Sequence, residues 1–368
     1  MTRRGLIAAA SIIPTAFLGG AGKAVAAGEG EEMAPGPAWR MPAEYGPHTR
    51  CWMAFPSHSG PWGESLPDVR EAIAALARAV QGFEPVTVIV EPAEVAEARE
   101  MLGAGSQILP LSVDDFWTRD TLPTFLVDGN GGRATANWEF NVWGEKFPGY
   151  AKDRSLSTRL SAILGTPRFP APIVTEGGAL HVDGAGTLLV TETSVINDNR
   201  NPGLTKAEAD DIFKGWLGVD RVVWLPGSHT ETITDGHVDG FACFVGPGVV
   251  LAELPASDDA PDMREMRENL RALELARDAA GRTLEIGMLR RPGTVRSDGA
   301  AFCDCYVNFY LPNGGVVMPR FGDDAADRAA REIVARAFPD RRIAQIDIDA
   351  IAEGGGGIHC STQQQPAA

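Results

Sequence analysis

Alternation of apolar and polar positions recurs in four stretches of the chain. Each has a polar or acidic start, a strand pattern, a Gly-rich turn and a second strand pattern. They are WTRDTLPTFLVDGNGGRATA from Trp117, EGGALHVDGAGTLLVTET from Glu176, TDGHVDGFACFVGPGVVLAE from Thr234 and CDCYVNFYLPNGGVVMPRF from Cys303. A period of two interrupted by a glycine-containing turn predicts a hairpin in each. Helical periodicity follows in TKAEADDIFKGWLG, APDMREMRENLRALELARDAAG and DDAADRAAREIVARAF, and these precede further strand patterns, DRVVWLP, RTLEIGML and DRRIAQIDI. The hairpins start at 117, 176, 234 and 303, a degenerate repeat of about sixty residues.

Upstream, CWMAFPS, the helix pattern LPDVREAIAALARAV, the strand pattern EPVTVIV and a short helix form a fifth, less regular unit. Five such units predict closure as a ring, a propeller-like arrangement in which strand starts converge on one axis; two ordinary α/β domains are the alternative. In a ring, Asp120, Glu176, His237 and Asp239 open strands that surround one axis. Cys360 follows the last strand back to the same place, so the terminal AEGGGGIHCSTQQQPAA would wall a pocket.

The first residues read differently. In MTRRGLIAAASIIPTAFLGGAGKAVAAGEGEE, Arg3 and Arg4 precede an apolar run too short and glycine-interrupted to span a membrane stably, and Ala24-Val25-Ala26 offers a small-x-small cleavage site. Residues 1–27 are therefore expected to be a secretory signal of twin-arginine type, 28–38 a linker and 39–368 one catalytic domain. An uncleaved apolar anchor is the alternative. No later segment is long and apolar enough to cross a membrane, so export to the periplasm or beyond is expected, or a cytoplasmic location if the signal is unused.

The formal charge is −16, and loss of residues 1–26, which carry Arg3, Arg4, Lys23 and no acid, takes it to −19. Such a surface argues against nucleic acid as a partner and for a cationic small molecule. The five cysteines are odd in number and lack zinc spacing. Cys303 and Cys305 fall in an apparent strand and read as core filling, and no disulfide framework is required.

Cys360 is the candidate nucleophile. A thiol reacts as thiolate, which needs nearby positive charge, a base or backbone amides. Gly354–Gly357 let backbone approach a ligand closely. His237 and Asp239, two apart, would share one face of a strand and could handle a proton and a cation together. A zinc site is the competing reading, weakened by the lack of paired histidines. With Asp120 and Glu176 added, several carboxylates around one thiol favour a planar cation, and a guanidinium, with five donors, matches bidentate carboxylates.

Taken together, MPAEYGPHTRCWMAFP, WTRD, EGG, NRNPGLTKAE, TDGHVDGFACFV, NFYLPNGGVVMPRFGD and GGGGIHCSTQQQP resemble the agmatine deiminases and bacterial-type peptidylarginine deiminases. These belong to the guanidino-group-modifying (pentein) superfamily with the five-bladed α/β propeller fold. The resemblance implies that Cys360 attacks a guanidinium carbon and that His237 is the general acid and base. It also implies that Asp120 and Asp239 hold the guanidinium nitrogens, with Glu176 orienting His237 or completing the acidic wall. Trp117 and Gly356 would border the substrate. No metal or organic cofactor is needed, and a homodimer is the family's expectation.

Agmatine-specific members tend to carry an acid four positions before the catalytic histidine, where this chain has Ile233. Agmatine hydrolysis to N-carbamoylputrescine and ammonia is expected first. Peptidylarginine or free arginine as substrate, an amidinotransferase and an exported noncatalytic guanidine-binding protein are the alternatives.

Overall fold

Five small sheets carry the strand patterns. In the computed structural model, residues 34–368 other than 298 and 300 are described, and they fall within one compact unit. The predicted signal and the start of the linker lie outside the described residues. Among those described, no helix is long and apolar enough to cross a membrane.

The second, third and fourth sheets each hold a hairpin, a helix crossover and a strand parallel to the hairpin's second arm. Thr124–Val127 and Arg133–Glu139 are joined by Arg168–Val174; His181–Val182 and Thr187–Thr191 by Arg221–Leu225; and Ala242–Gly246 and Val249–Leu254 by Glu285–Arg290. Parallel neighbours require such crossovers, and Leu156–Leu164, Lys206–Leu217 and Met263–Leu275 supply them. The Lys206–Leu217 helix shows why the sequence folds locally as it does. Thr205 and Glu208 form a reciprocal capping box at its start, and Gly218 ends it at φ 64°, the left-handed turn that glycine adopts without steric cost.

The fifth sheet departs from expectation. Its parallel pair, Gly315–Arg320 and Arg342–Asp347, forms around the Asp324–Ala337 helix, but the leading strand shrinks to a single bridge between Tyr310 and Val317. Cys303 and Cys305 thus lie outside any strand. The amides of Tyr306 and Val307 bond the Glu253 carboxylate at 2.9 and 2.8 Å, and the chain turns at Phe309, whose amide bonds Val307 O. A backbone committed to these partners cannot pair as a strand.

In the first sheet the C-terminal segment becomes structure. Gln363–Pro366 pairs antiparallel with His48–Ala54, which runs parallel to Val86–Val90, itself parallel to Ser106–Pro110. Helix Leu66–Gln81 covers this sheet with Leu66, Val69, Ile73, Leu76, Ala77 and Val80, all buried, the stripe expected of a 3.6-residue period. Two of the buried glutamines have side-chain partners: Gln365 accepts from Trp52 Nε1 at 3.0 Å, and Gln363 Nε2 donates to Pro123 O at 2.8 Å. The second of these bonds ties the last strand to the approach of the second sheet.

Asp120, Glu176, His237 and Asp239 do not open strands as expected. Asp120 lies in the one-turn helix Thr118–Thr121, Glu176 precedes the turn Gly177–Ala179, and His237 precedes Val238–Gly240, which contains Asp239. The hairpins begin only after these turns. Cys360 does follow Arg342–Asp347, the last strand the pattern predicts, and one further strand, Gln363–Pro366, comes after it.

Candidate active site

The three helical turns and the segment Gly354–Cys360 bring every predicted charged residue to one place. Gly178 marks its centre. A Cβ added there would lie 2.6 Å from His237 Nδ1 and 3.0 Å from both Asp120 Oδ1 and Asp239 Oδ2. Only a glycine lets the backbone approach so closely, and its own amide donates to Asp120 Oδ1 at 2.9 Å.

Cys360 Sγ donates to Asp239 Oδ2 at 3.5 Å and accepts from Asn308 Nδ2 at 3.3 Å. Burial pushes the thiol well above its ordinary pKa, and the charges of Asp239 and Asp120 push the same way; the Gly357 backbone and Asn308 oppose them. It rests protonated, and a cation entering between it and the carboxylates would favour the thiolate. Asn308 Oδ1 also accepts from the His359 amide at 2.9 Å and the Cys360 amide at 3.4 Å, so it fixes the backbone at Cys360 as well as its sulfur.

His237 Nε2 lies 3.2 Å from Glu176 Oε2. Its Nδ1, 3.9 Å from Asp120 Oδ1, is buried without a hydrogen-bond partner and faces the space over Gly178. Burial alone would lower the imidazole's pKa, but Asp120, the Glu176 hydrogen bond and charge, and Asp239 outweigh it and raise it to about 9. The ring is therefore an imidazolium near neutrality, with its spare N–H on Nδ1 directed at the centre.

Glu176 is fully buried and is neutralised from behind by Arg200, whose Nε lies 2.9 and 3.1 Å from its two oxygens. Arg200 is in turn held by Asp235 at 2.6 Å and by Thr234 O at 2.9 Å. Burial would raise the Glu176 carboxyl, and Arg200 and His237 keep it below its usual range. Asp120 has no such arginine. It accepts from Trp143 Nε1 at 2.9 Å, and burial, with Asp239 and Glu176 nearby, raises its carboxyl despite the attraction of His237. It is the acid in the group that most lacks a cation.

A cavity of about 270 Å³ opens onto Asp120 and Cys360. Trp117 and Trp143 line it, as do Trp62, Tyr150, Ile233 and Gly354–Gly356. A Cβ at Gly356 would overlap the Trp117 ring, so the glycine run is what admits the indole. Trp62 Nε1 and Tyr150 Oη both donate to buried Asp115, at 2.7 and 3.1 Å, which pins the two aromatic walls.

Sequence reasoning left several of these partners without a role. Arg200 stands in NRNPG, Asn308 in NFYLPNGG and Arg119 in WTRD, so their motifs were visible while their contacts were not. Glu44, in MPAEYG, lies more than 300 residues from His359 in sequence, yet its oxygens are 2.9 Å from His359 Nε2. Glu44, His181 and His359 bring ligand atoms within 4.8 Å of one another. Arg119 Nη1 already supplies a cation there, at 3.0 Å from Glu44. All five cysteines are free thiols.

Comparison with known proteins accords with this geometry. A family model described as Porphyromonas-type peptidyl-arginine deiminase matches residues 40–366. The agmatine deiminase of Pseudomonas aeruginosa is 38% identical over 354 residues, covering 89% of this chain and 96% of that protein. That of Stutzerimonas stutzeri is 38% identical over 353 residues, covering 89% and 95%. The solved structure of the Enterococcus faecalis agmatine deiminase superposes with a TM-score of 0.86 at 30% identity, covering 92% of this chain and all of that one.

Proposed function

The chain belongs to the Porphyromonas-type peptidyl-arginine deiminase family and is a hydrolase of C–N bonds in guanidino groups; from that premise we propose that it deiminates agmatine through a covalent intermediate on Cys360. The observation that carries this reading is the convergence of a thiol, the carboxylates of Asp120 and Asp239 and an imidazolium around the backbone of Gly178.

The guanidinium enters against Asp120 and Asp239, which accept from its nitrogens. Its positive charge favours the Cys360 thiolate: the thiol proton passes to water as the substrate enters, and the sulfur's electron pair bonds to the guanidinium carbon. In the tetrahedral adduct, His237 gives its Nδ1 proton to one terminal nitrogen, the C–N bond breaks and ammonia leaves. A thiouronium cation remains on sulfur. Neutral His237 then takes a proton from water as its oxygen bonds to the same carbon. Collapse expels the thiolate, which takes up the remaining hydroxyl proton to restore the Cys360 thiol, and leaves a ureido group. Glu176, neutralised by Arg200, holds the His237 ring at Nε2, while Trp117 and Trp143 flank the carbon chain of the substrate.

Finer features of the fold and setting belong to the same reading. The five sheets close as a five-bladed propeller, supported by the return of Gln363–Pro366 to the first sheet; a crystal structure in which the sheets share no axis would refute this. The leader exports the protein, and two copies assemble. N-terminal sequencing of protein recovered outside the cytoplasm, and its mass in solution, test these two statements.

Turnover on agmatine, free arginine and an arginine peptide tests the substrate. Agmatine is expected to give the highest kcat/KM, with ammonia and a ureido product identified by mass, and agmatine as the poorest of the three would overturn the assignment. A further expectation concerns Gly178. Gly178→Ala places a methyl among His237, Asp120 and Asp239 and should lower kcat/KM by about 10²-fold, the usual cost of misplacing reacting groups by an ångström. Steady-state kinetics beside an unchanged circular-dichroism spectrum checks it.

A further inference from the structure

Behind Asp239 lies a second histidine to which the reaction above gives no task. His359 is 3% exposed, and both ring nitrogens face carboxylates: Nδ1 is 2.8 Å from Asp239 Oδ2, and Nε2 is 2.9 Å from both oxygens of Glu44. A carboxylate accepts and cannot donate, so each nitrogen must carry a proton and the ring is an imidazolium. We infer that His359 is a positioning residue, a buried cation clamped between Glu44 and Asp239 that holds Asp239 as an oriented anion beside Cys360 and so prepares it to receive the guanidinium.

The surroundings support the clamp. Glu44 would be costly to bury alone. It is paired with Arg119 at 3.0 Å and lies 3.7 Å from His181 Nε2, and Arg119 Nε also donates to His359 O at 3.3 Å. The His181 ring is stacked beside that of His359, with centroids 6.1 Å apart. The charged and titratable groups facing His359 are thus Asp239, Glu44, Arg119 and His181. Those facing Asp239 are His359, His237, Arg119, Asp120 and the Cys360 thiol. Burial and Arg119 push the His359 pKa down, and Glu44 and Asp239 more than reverse this. Burial would raise the Asp239 carboxyl, and the His359 bond and charge lead the interactions that hold it below its usual range.

The inference rests on the reading that Asp239 binds the guanidinium, so its test has one arm that needs no activity. His359 is the one histidine that follows an isoleucine. Carbonyl-labelled Ile with ¹⁵N-labelled His therefore assigns its backbone amide by NMR and, through it, the ring. At pH 8 both ring nitrogens are expected to show imidazolium shifts; a neutral tautomer there overturns the clamp.

The second arm compares His359→Asn with the unaltered protein on agmatine. The Asn amide retains a donor towards Asp239 but loses the charge and the Glu44 contact. Without the cation Asp239 takes up its proton at higher pH, so the acid limb of kcat/KM should move up by about one unit or more. KM should rise about tenfold or more while kcat changes only a few-fold, the pattern of lost binding rather than lost chemistry. An unmoved acid limb, or a fall in kcat at constant KM, overturns the inference. An unaltered protein inactive on agmatine would instead count against the proposed substrate, and the NMR result would still decide the clamp.

Discussion

Cys360→Ala is expected to lower kcat for ammonia release from agmatine by about 10⁴-fold or more, the scale seen when a nucleophile is removed, while agmatine still binds. The two expectations have separate causes. Bond formation to the guanidinium carbon needs a sulfur lone pair, and no other described nucleophile stands beside Asp239 and Asn308. In the proposed mechanism binding depends on Asp120 and Asp239, which the substitution leaves in place. Cys360 also rests as a thiol, held up by burial and by those carboxylates, so alanine removes no negative charge that the substrate needs. Calorimetry on the variant should therefore show agmatine binding with a Kd within a few-fold of the parent's KM. Retained turnover would remove Cys360 from the chemistry, and lost binding in a folded variant would mean that the thiol contributes to recognition. The noncatalytic guanidine-binding reading predicts that the parent and Cys360→Ala both bind and that neither releases ammonia.

The hairpins, crossover helices and roughly sixty-residue rhythm were legible because burial of one face imposes a period on the sequence. The crossover helices Lys206–Leu217 and Asp324–Ala337 lie within a residue or so of their periodic stretches. The helix in the fourth unit is shorter than its pattern, ending at Leu275 where Ala276 turns extended. The pattern failed where side chains, not neighbouring strands, satisfy the backbone. Glu253 takes the amides of Tyr306 and Val307 and abolishes a strand that alternation alone would draw. At the site, residue type singled out the groups that the structure brings together around Gly178, since a Cys, His or Asp in a glycine-rich setting is informative by itself. The groups that hold them, Arg200 behind Glu176 and Glu44 behind His359, were hidden. An arginine or glutamate gives no local sign that its partner lies tens or hundreds of residues away.

This division explains how so acidic a centre can be buried. Glu176 is matched by Arg200 and Glu44 by Arg119, while His237 and His359 each sit between two carboxylates. Asp120 is the acid left without a strong cation at rest, and its raised carboxyl pKa expresses that deficit. A guanidinium supplies the missing charge on arrival, so the same event that stabilises Asp120 also favours ionisation of Cys360. Ile233 in the cavity wall offers no charge to a distal ammonium, and Asp115, the other carboxylate of that wall besides Asp120, is already held by Trp62 and Tyr150. The guanidinium end is thus the part of the substrate for which the described residues provide a dedicated anionic receptor.

His237→Gln should cost about 10²- to 10⁴-fold in kcat, the range for a general acid–base residue, and should change the shape of the pH profile as well as its height. In the free enzyme His237 has a pKa of about 9 because Asp120 and Glu176 outweigh the effect of burial. Below that value the ring carries the proton that ammonia needs in order to leave; above it the proton is gone. The parent's kcat/KM is therefore expected to fall on the alkaline side with an apparent pKa near 9. Once bound, the guanidinium is a like charge beside the imidazolium and makes it a stronger acid, so the same limb in kcat should lie at lower pH than in kcat/KM. Glutamine does not titrate, and the residual rate of His237→Gln should lack this limb. Glu176→Gln gives the complementary result: one of the carboxylates that raises His237 is neutralised, and the alkaline limb should shift down without disappearing. If the limb survives unchanged in His237→Gln, it belongs to another group, and the proton for the departing ammonia must come from elsewhere than Nδ1 of His237.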